Sequence, residues 1–555
     1  MNLKNKNISP IKTNSWIKLQ EHFKEIKNIS LKNFFLENKN RFDQFNVQFN
    51  KLLFDFSKNR INKKTINILS NLAIECKLEE YIYKMFSGEK INETENRSVL
   101  HTALRNFDKN KKIFINGVNI MEDIYFTIEK MKIFSEKIRN GIWKGYTNKP
   151  IKNIVNVGIG GSHIGPMMVV EALKSYSNKN LNIHFISNID GSSLYYLFNK
   201  IDLDTTIFII SSKTFTTEET ITNFKSILNF FIKKTKNKKF IKKHFIATTS
   251  NKKEAIKFGI PEKNIFLFGD WVGGRYSVWN AVGLSICLYI GFENFYSFLK
   301  GAYEIDLHFK NEKIEKNIPI LLALIGIWNI NFLKINNHLI LPYNQSLQYF
   351  ILYIQQLEME SNGKSVNRNG IKINYSTCPI IWGGLGNDSQ HSFYQFLYQG
   401  TISSSFDFII YIKDKYKELE NHNKILFSNF LSQTRSLAFG NQKEEIIQEL
   451  IIELKKKKYV NFLFPHKIIK GNKPSNSIIL EELSPITLGN LMAIYEHKIF
   501  VQSIIWNIFA FDQWGVELGK KNSKKILLDL YKKNEINCYD SSTNNLINFY
   551  KKIFN

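Results

Sequence analysis

Cysteine is scarce: the chain of 555 residues has four, at positions 76, 287, 378 and 538. That number excludes a secreted disulfide scaffold and the wide spacing excludes a close-paired metal site, so the four read as reduced core thiols. Long apolar runs are missing too. The longest, Ile318 to Trp328, is interrupted by Pro319 and falls short of the ~20 residues a membrane helix needs. The opening Met1-Asn2-Leu3-Lys4-Asn5-Lys6 has charge but no apolar stretch behind it, so no signal peptide is expected and the chain reads as cytoplasmic. Nor is there a long polar low-complexity tract that would argue for disorder. Acidic residues are the short side of the charge balance, 49 Asp plus Glu against 76 Lys plus Arg, for a net +27. Such an excess invites a nucleic-acid or membrane-surface partner. Here it is mostly Lys scattered among abundant Asn, Ile and Phe, the mixture that A/T-rich coding produces. Runs such as Lys455 to Lys458 read as solvated faces. No nucleic acid and no membrane is expected as a partner.

What is present is core material and an alternation of elements. The apolar fraction is 43% and there are 45 Phe, in a chain long enough for more than one domain, because single cores stop growing at roughly 250 to 300 residues. Residues 1 to about 150 read mainly as helices, without a clean period-two run. From Ile154 short apolar runs alternate with helical stretches: Ile154 to Val157, Ile183 to Ile186, Ile207 to Ile210, Phe245 to Ala247 and Ile265 to Phe268. This pattern predicts βαβ units and a parallel sheet covered by helices on both faces. A less regular alternation follows from about residue 300, with strand candidates at Leu339 to Leu341, Ile380 to Trp382, Phe408 to Ile410 and Val460 to Leu463. Asn472 to Ser477 and the residues after Gly519 read as connecting or terminal segments. In open α/β sheets ligands bind beyond the carboxyl ends of strands, which directs attention to the loops there.

The first such loop is Gly158-Ile159-Gly160-Gly161-Ser162, where glycines let backbone N–H groups approach an anion at a helix N-terminus; alone, it is equally a tight strand-to-helix turn. The second, Ser211-Ser212-Lys213-Thr214-Phe215-Thr216-Thr217, has five hydroxyls and an ammonium before a helix opened by Glu218 and Glu219. That suits a phosphomonoester, although Thr216 or Thr217 could be an ordinary N-cap. The third, Trp271-Val272-Gly273-Gly274-Arg275-Tyr276-Ser277, puts an Arg on a glycine turn, where its fixed charge could stabilise an oxyanion. A helix ending at Glu360 is predicted from Phe350, Ile354 and Leu357, with Gly363 as its C′ residue. Glu360, beside the negative end of that helix, is a candidate general base, while Glu358 reads as solvated. His391, in Gln390-His391-Ser392-Phe393-Tyr394, is placed at the start of a helix, which would keep its imidazole neutral. Finally, Phe511-Asp512-Gln513-Trp514-Gly515-Val516-Glu517-Leu518-Gly519-Lys520 ends on a Lys that either donates protons or begins a basic run.

Together with Asn96-Arg97-Ser98-Val99-Leu100-His101, Ala103-Leu104-Arg105 and Ile142-Trp143-Lys144-Gly145-Tyr146-Thr147, these segments resemble, in chain order, the phosphoglucose isomerase family. The resemblance implies an α/β fold: a helical N-terminal extension at 1–120, sugar-isomerase α/β domains with parallel sheets at 121–290 and 291–510, and a C-terminal segment at 511–555. It also implies a homodimer with sites at the subunit interface, a sugar phosphate as substrate, and no metal or organic cofactor. Gly161, Ser162, Ser212, Lys213, Thr214 and Thr217 would hold the phosphate and hydroxyls, with Gln513 near the substrate. His391 of the partner subunit and Lys520 would assist ring opening. Glu360 would move a proton between C2 and C1 through a cis-enediol, and Arg275 would stabilise its charge. The sequence departs from the family at His163-Ile164, where Asp-Leu is usual, and at Gly386-Asn387-Asp388-Ser389, where the usual run is Gly-Thr-Asn-Gly.

Overall fold

A computed structural model describes residues 8–554 except 414, 442, 455 and 456. The chain forms a large compact unit up to Ala510 and a small one from Phe511 onward. The large unit is built on two sheets. In chain order the strands are β1 (Asn46–Phe49), β2 (Leu52–Asp55), a separate hairpin of β3 (Phe114–Ile115) and β4 (Val118–Asn119), then β5 (Asn153–Val157), β6 (Asn182–Ile186), β7 (Thr206–Ser211), β8 (Phe245–Thr249) and β9 (Ile265–Leu267). The last four are β10 (Asn337–Pro342), β11 (Ile380–Gly383), β12 (Ser405–Lys413) and β13 (Ser475–Glu482).

Strands β5 to β9 form one parallel sheet in the order β6-β5-β7-β8-β9. Every residue of β5, β7 and β8 is buried, which is what a parallel sheet covered on both faces demands and why these runs are apolar without alternation. Val155, Phe208, Phe224, Phe231 and Phe245 meet in the core between this sheet and its helices. All five strands predicted in this region are present.

The second sheet has the order β1-β2-β13-β12-β10-β11, with β10 to β13 parallel and β1 and β2 antiparallel at one edge. Three expectations fail here. Residues 46–55 form two strands instead of helix, because β2 finds its partner in β13, more than 400 residues later. Asn472 to Ser477 is not all connector: β13 starts at Ser475, and its buried Asn476 donates from Nδ2 to Asp407 Oδ1 at 2.7 Å. The apolar run at Val460 to Leu463 lies in the helix Lys457–Lys467, where Val460 packs with Ile446 and Leu450. A four-residue apolar run carries no period that separates strand from helix.

The helix Pro485–Ile505 starts at a Ser484–Thr487 capping box and is buried at every position but Ile486. It packs on the helix Phe292–Asn311 at very short range. A Cβ on Gly301 would lie 2.0 Å from Ile486 O, and one on Gly489 would lie 2.2 Å from Phe298 O. No helix among the described residues is long and apolar enough to cross a membrane.

Candidate active site

Strand β5 pairs with β6 on one side and β7 on the other, so sheet growth reverses between β5 and β7. That switch point is where an open α/β sheet offers a crevice to a ligand. Both phosphate-type loops leave from it. After β5, Gly160 takes φ +59° and Ser162 leads into the helix Ile164–Ala172. A Cβ on Gly161 would lie 1.9 Å from Gly274 O and 2.7 Å from Arg275 N, so the absence of a side chain lets this loop touch the turn that carries Arg275. Ser162 O accepts from Asn156 Nδ2 at 3.0 Å.

After β7, Ser212 Oγ donates to Thr217 Oγ1 at 3.3 Å and accepts from Phe215 N at 3.1 Å. The second bond helps hold Phe215 at φ +57°, a left-handed conformation uncommon for an aromatic residue, with its ring buried in the sheet core. Thr217 is the N-cap residue of the helix Glu218–Thr235 but makes no side-chain capping bond, so the ordinary-cap reading of this segment fails for Thr217. Exposed Thr214 Oγ1 accepts from Thr216 Oγ1 at 2.8 Å. Lys213 Nζ donates to Asp270 O at 2.6 Å and Val272 O at 2.9 Å, tying this loop to the segment before Arg275. Burial first, and the charge of Arg97 second, push the Lys213 ammonium down to about 8.

Arg275 is buried, and its guanidinium is aimed by Nε donating to Ser361 Oγ at 2.7 Å and Nη2 donating to Ala510 O at 2.5 Å. Its Nη1 lies 3.5 Å from Glu360 Oε1. Glu360 is in the last turn of the helix Phe350–Asn362, its side chain 27% exposed, and its Oε2 accepts from Gln356 Nε2 at 3.1 Å. The helix ends as expected, but Gly363 has φ −72° and is no left-handed cap; Lys364 Nζ instead donates to the carbonyls of Glu360 and Ser361, at 3.2 and 2.8 Å. Glu358 is not solvated: it is fully buried and accepts from Lys498 Nζ at 2.7 Å.

Gly161 and Lys213 thus tie their two loops, which also carry Ser162, Ser212 and Thr217, to the segment of Arg275, and Arg275 reaches Glu360. Gln356 and Ser361 join these without having been singled out. Gln356 stands four residues before Glu360 on one helix, which is the spacing of side-chain neighbours and could have revealed it.

His391 is exposed and caps the C-terminal end of the short helix Gly386–Gln390, three residues before the helix Tyr394–Gln399. The expected start of a helix is therefore misplaced: the residues just before His391 are themselves helical, with Gly386 pressed against the Tyr343 ring, where a Cβ would approach to 2.3 Å. Gln513 and Lys520 belong to the small unit. There Gln513 precedes the turn Trp514–Val516, and Lys520, exposed on the helix Glu517–Leu530, pairs with Glu517 at 2.9 Å. A largely apolar cavity of about 990 Å³, lined by Ile124, Met131, Leu267, Phe268 and Trp271 among others, includes none of the site residues named above.

A second charge cluster is closed. Arg105 donates from Nε and Nη2 to Asp306 at 2.8 and 2.7 Å and from Nη1 to Glu496 Oε2 at 2.6 Å. Trp279 Nε1 donates to Glu496 Oε1 at 2.7 Å, and His497 Nε2 is 2.7 Å from Asp306 Oδ1. All five side chains are buried. Burial raises Glu496 above the usual carboxylate range, whereas in Asp306 the same burial is outweighed by Arg105 and His497 together, which hold it low.

The family model described as phosphoglucose isomerase matches residues 55–547. The chain belongs to the phosphoglucose isomerase family. It is 54% identical over 547 residues to the glucose-6-phosphate isomerase of Buchnera aphidicola subsp. Cinara cedri, covering 98% of this chain and 99% of that one. To the glucose-6-phosphate isomerase of Blochmanniella floridana it is 52% identical over 555 residues, with 98% and 99% covered. Its structure resembles the crystal structure of a glucose-6-phosphate isomerase from Chlamydia trachomatis with a TM-score of 0.84 at 28% identity, covering 98% of this chain and all of that one.

Proposed function

We infer that the chain interconverts glucose 6-phosphate and fructose 6-phosphate, moving one proton between C2 and C1 of the open-chain sugar. The observation that carries this reading is the Glu360 carboxylate, partly exposed, 3.5 Å from a buried and fully oriented Arg275 beside two hydroxyl-bearing strand-end loops. A proton α to a carbonyl leaves readily only if a base is at hand and fixed positive charge meets the oxygen that becomes anionic.

In this reading Ser212, Lys213, Thr214 and Thr217 hold the phosphate, with Ser162 and the backbone at Gly161 beside them. The remote phosphate thereby orients the sugar over Glu360. Glu360 takes the C2 proton and gives it back at C1, the hydroxyl proton passes from O2 to O1, and C2 becomes the carbonyl. The reaction is redox-neutral and balances within the substrate. Arg275 stabilises the enediolate between the two steps. His391 of a second copy of the chain and Lys520 move protons during ring opening, with Gln513 near the sugar; this assigns the chain to a homodimer, working in the cytoplasm in glycolysis and gluconeogenesis.

The test is a coupled assay: purified protein receives fructose 6-phosphate and the appearance of glucose 6-phosphate is read by its dehydrogenase. Turnover is expected; folded protein without turnover overturns the reading.

A further inference from the structure

Glu358 and Glu360 share the last turn of one helix, and at 3.6 residues per turn two positions differ by about 200° around the axis. One therefore faces the core when the other faces the crevice. The core-facing end is anchored twice on adjacent buried residues of the helix Pro485–Ile505: Lys498 Nζ donates to Glu358 Oε2 at 2.7 Å, and Asn362 Nδ2 donates to Ile499 O at 3.2 Å. Glu358 also lines a small cavity of about 10 Å³ together with Asn329, His338, Gln502 and the apolar Leu322 and Ile330, room for one water molecule.

A buried ion pair is a poor way to gain stability, because desolvation offsets its attraction and apolar residues of similar volume often serve as well. Its directional geometry does something an apolar contact does not, which is to fix the rotation of the turn. We propose that Lys498 and Glu358 are positioning residues that set the direction of the Glu360 carboxylate towards Arg275 and the substrate. The proposal rests on Glu360 being the proton shuttle. Neither residue touches substrate; both act through the helix backbone.

The experiment uses the full-length protein with Glu358→Gln, and with the double replacement Glu358→Met plus Lys498→Met, which removes both charges so that no lone charge stays buried. Folding is followed by thermal melting, kcat and KM with fructose 6-phosphate, and binding by inorganic phosphate as a competitive inhibitor. A fourth readout is the fraction of deuterium from C2-labelled glucose 6-phosphate that arrives at C1 instead of being lost to water. A folded double variant is expected to lose at least tenfold in kcat with KM and phosphate inhibition within about threefold, and to transfer a smaller fraction of deuterium. A smaller folded population would lower the rate without moving that fraction. A folded double variant, or failing that a folded Glu358→Gln variant, with kcat within twofold and an unchanged fraction overturns the proposal. Wild-type protein without turnover overturns the reading it rests on, and not the anchoring itself.

Discussion

Two clusters in the large unit pair a buried arginine with carboxylates, those of Arg105 and Arg275, and they differ in closure. Arg105, Asp306 and Glu496 are wholly buried, and the carboxylates are held by Arg105, Trp279 and His497 at 2.6 to 2.8 Å. Arg275 is as buried, but its carboxylate partner Glu360 is 27% exposed and stands off at 3.5 Å. The closed cluster spends every charge on another protein group and locks elements together. The open one orients its guanidinium with Ser361 Oγ and the Ala510 carbonyl and leaves the carboxylate accessible. The same residue types thus give a closed joint in one place and an accessible pair in the other, and on the proposed reading that access is what lets a substrate reach the Glu360 carboxylate.

The comparison breaks most sharply at Glu360. Glu360→Gln keeps shape and exposure, so the urea midpoint should stay where it is while kcat falls by about 10²–10⁴ or more, the range for removing a general base. Next comes Arg105→Met, with the opposite signature. It leaves two buried carboxylates without their cation, and urea unfolding should show a loss of about 3–5 kcal/mol. If that variant unfolds normally, the cluster is not the joint described. Arg275→Lys retains charge but loses the fork that binds Ser361 and Ala510 together, so kcat should fall by about 10²–10³ with a small change in stability.

A smaller effect belongs to Lys213, whose ammonium is pushed down to about 8. In the free enzyme it is charged below that pH and neutral above it. Hence kcat/KM should hold up to about pH 8 and decline beyond, and Lys213→Met should lose that break and start lower. The stability sign is the reverse. The folded value lies below the ordinary ~10.4 of an unfolded lysine, so the unfolded chain binds more protons between the two, and this group's contribution to stability improves as pH rises through that window. Smallest is Thr217→Ala. It removes one hydroxyl that accepts from Ser212 Oγ at 3.3 Å, so KM should rise by less than about tenfold, consistent with a hydrogen bond worth ~1 kcal/mol.

Much of the first sheet and its crevice was legible in the sequence, because its buried parallel strands are written as short, mostly apolar runs, interrupted in β5 by Asn156, and the site loops sit at their ends. Helix Phe350–Asn362 was legible from its spacing of Phe350, Ile354 and Leu357. What stayed hidden depends on partners far away in the chain. β1 and β2 are strands because β13 pairs with β2, and the polar Ser475-Asn476-Ser477 is tolerated inside because Asp407 and Asn59 satisfy Asn476. Glu358 looks like any solvated glutamate until Lys498, 140 residues later, is placed against it. The segment of His391 was misread because its helix comes one turn earlier, where Gly386 fits against Tyr343.

The most direct measurement follows C2-deuterated glucose 6-phosphate by NMR with wild-type protein and with Glu360→Gln. Wild type should form fructose 6-phosphate with part of the deuterium carried to C1 and the rest exchanged into water. The variant should do neither, while phosphate still binds as in wild type. Exchange of the C2 deuterium at the normal rate in Glu360→Gln would show that another group is the base.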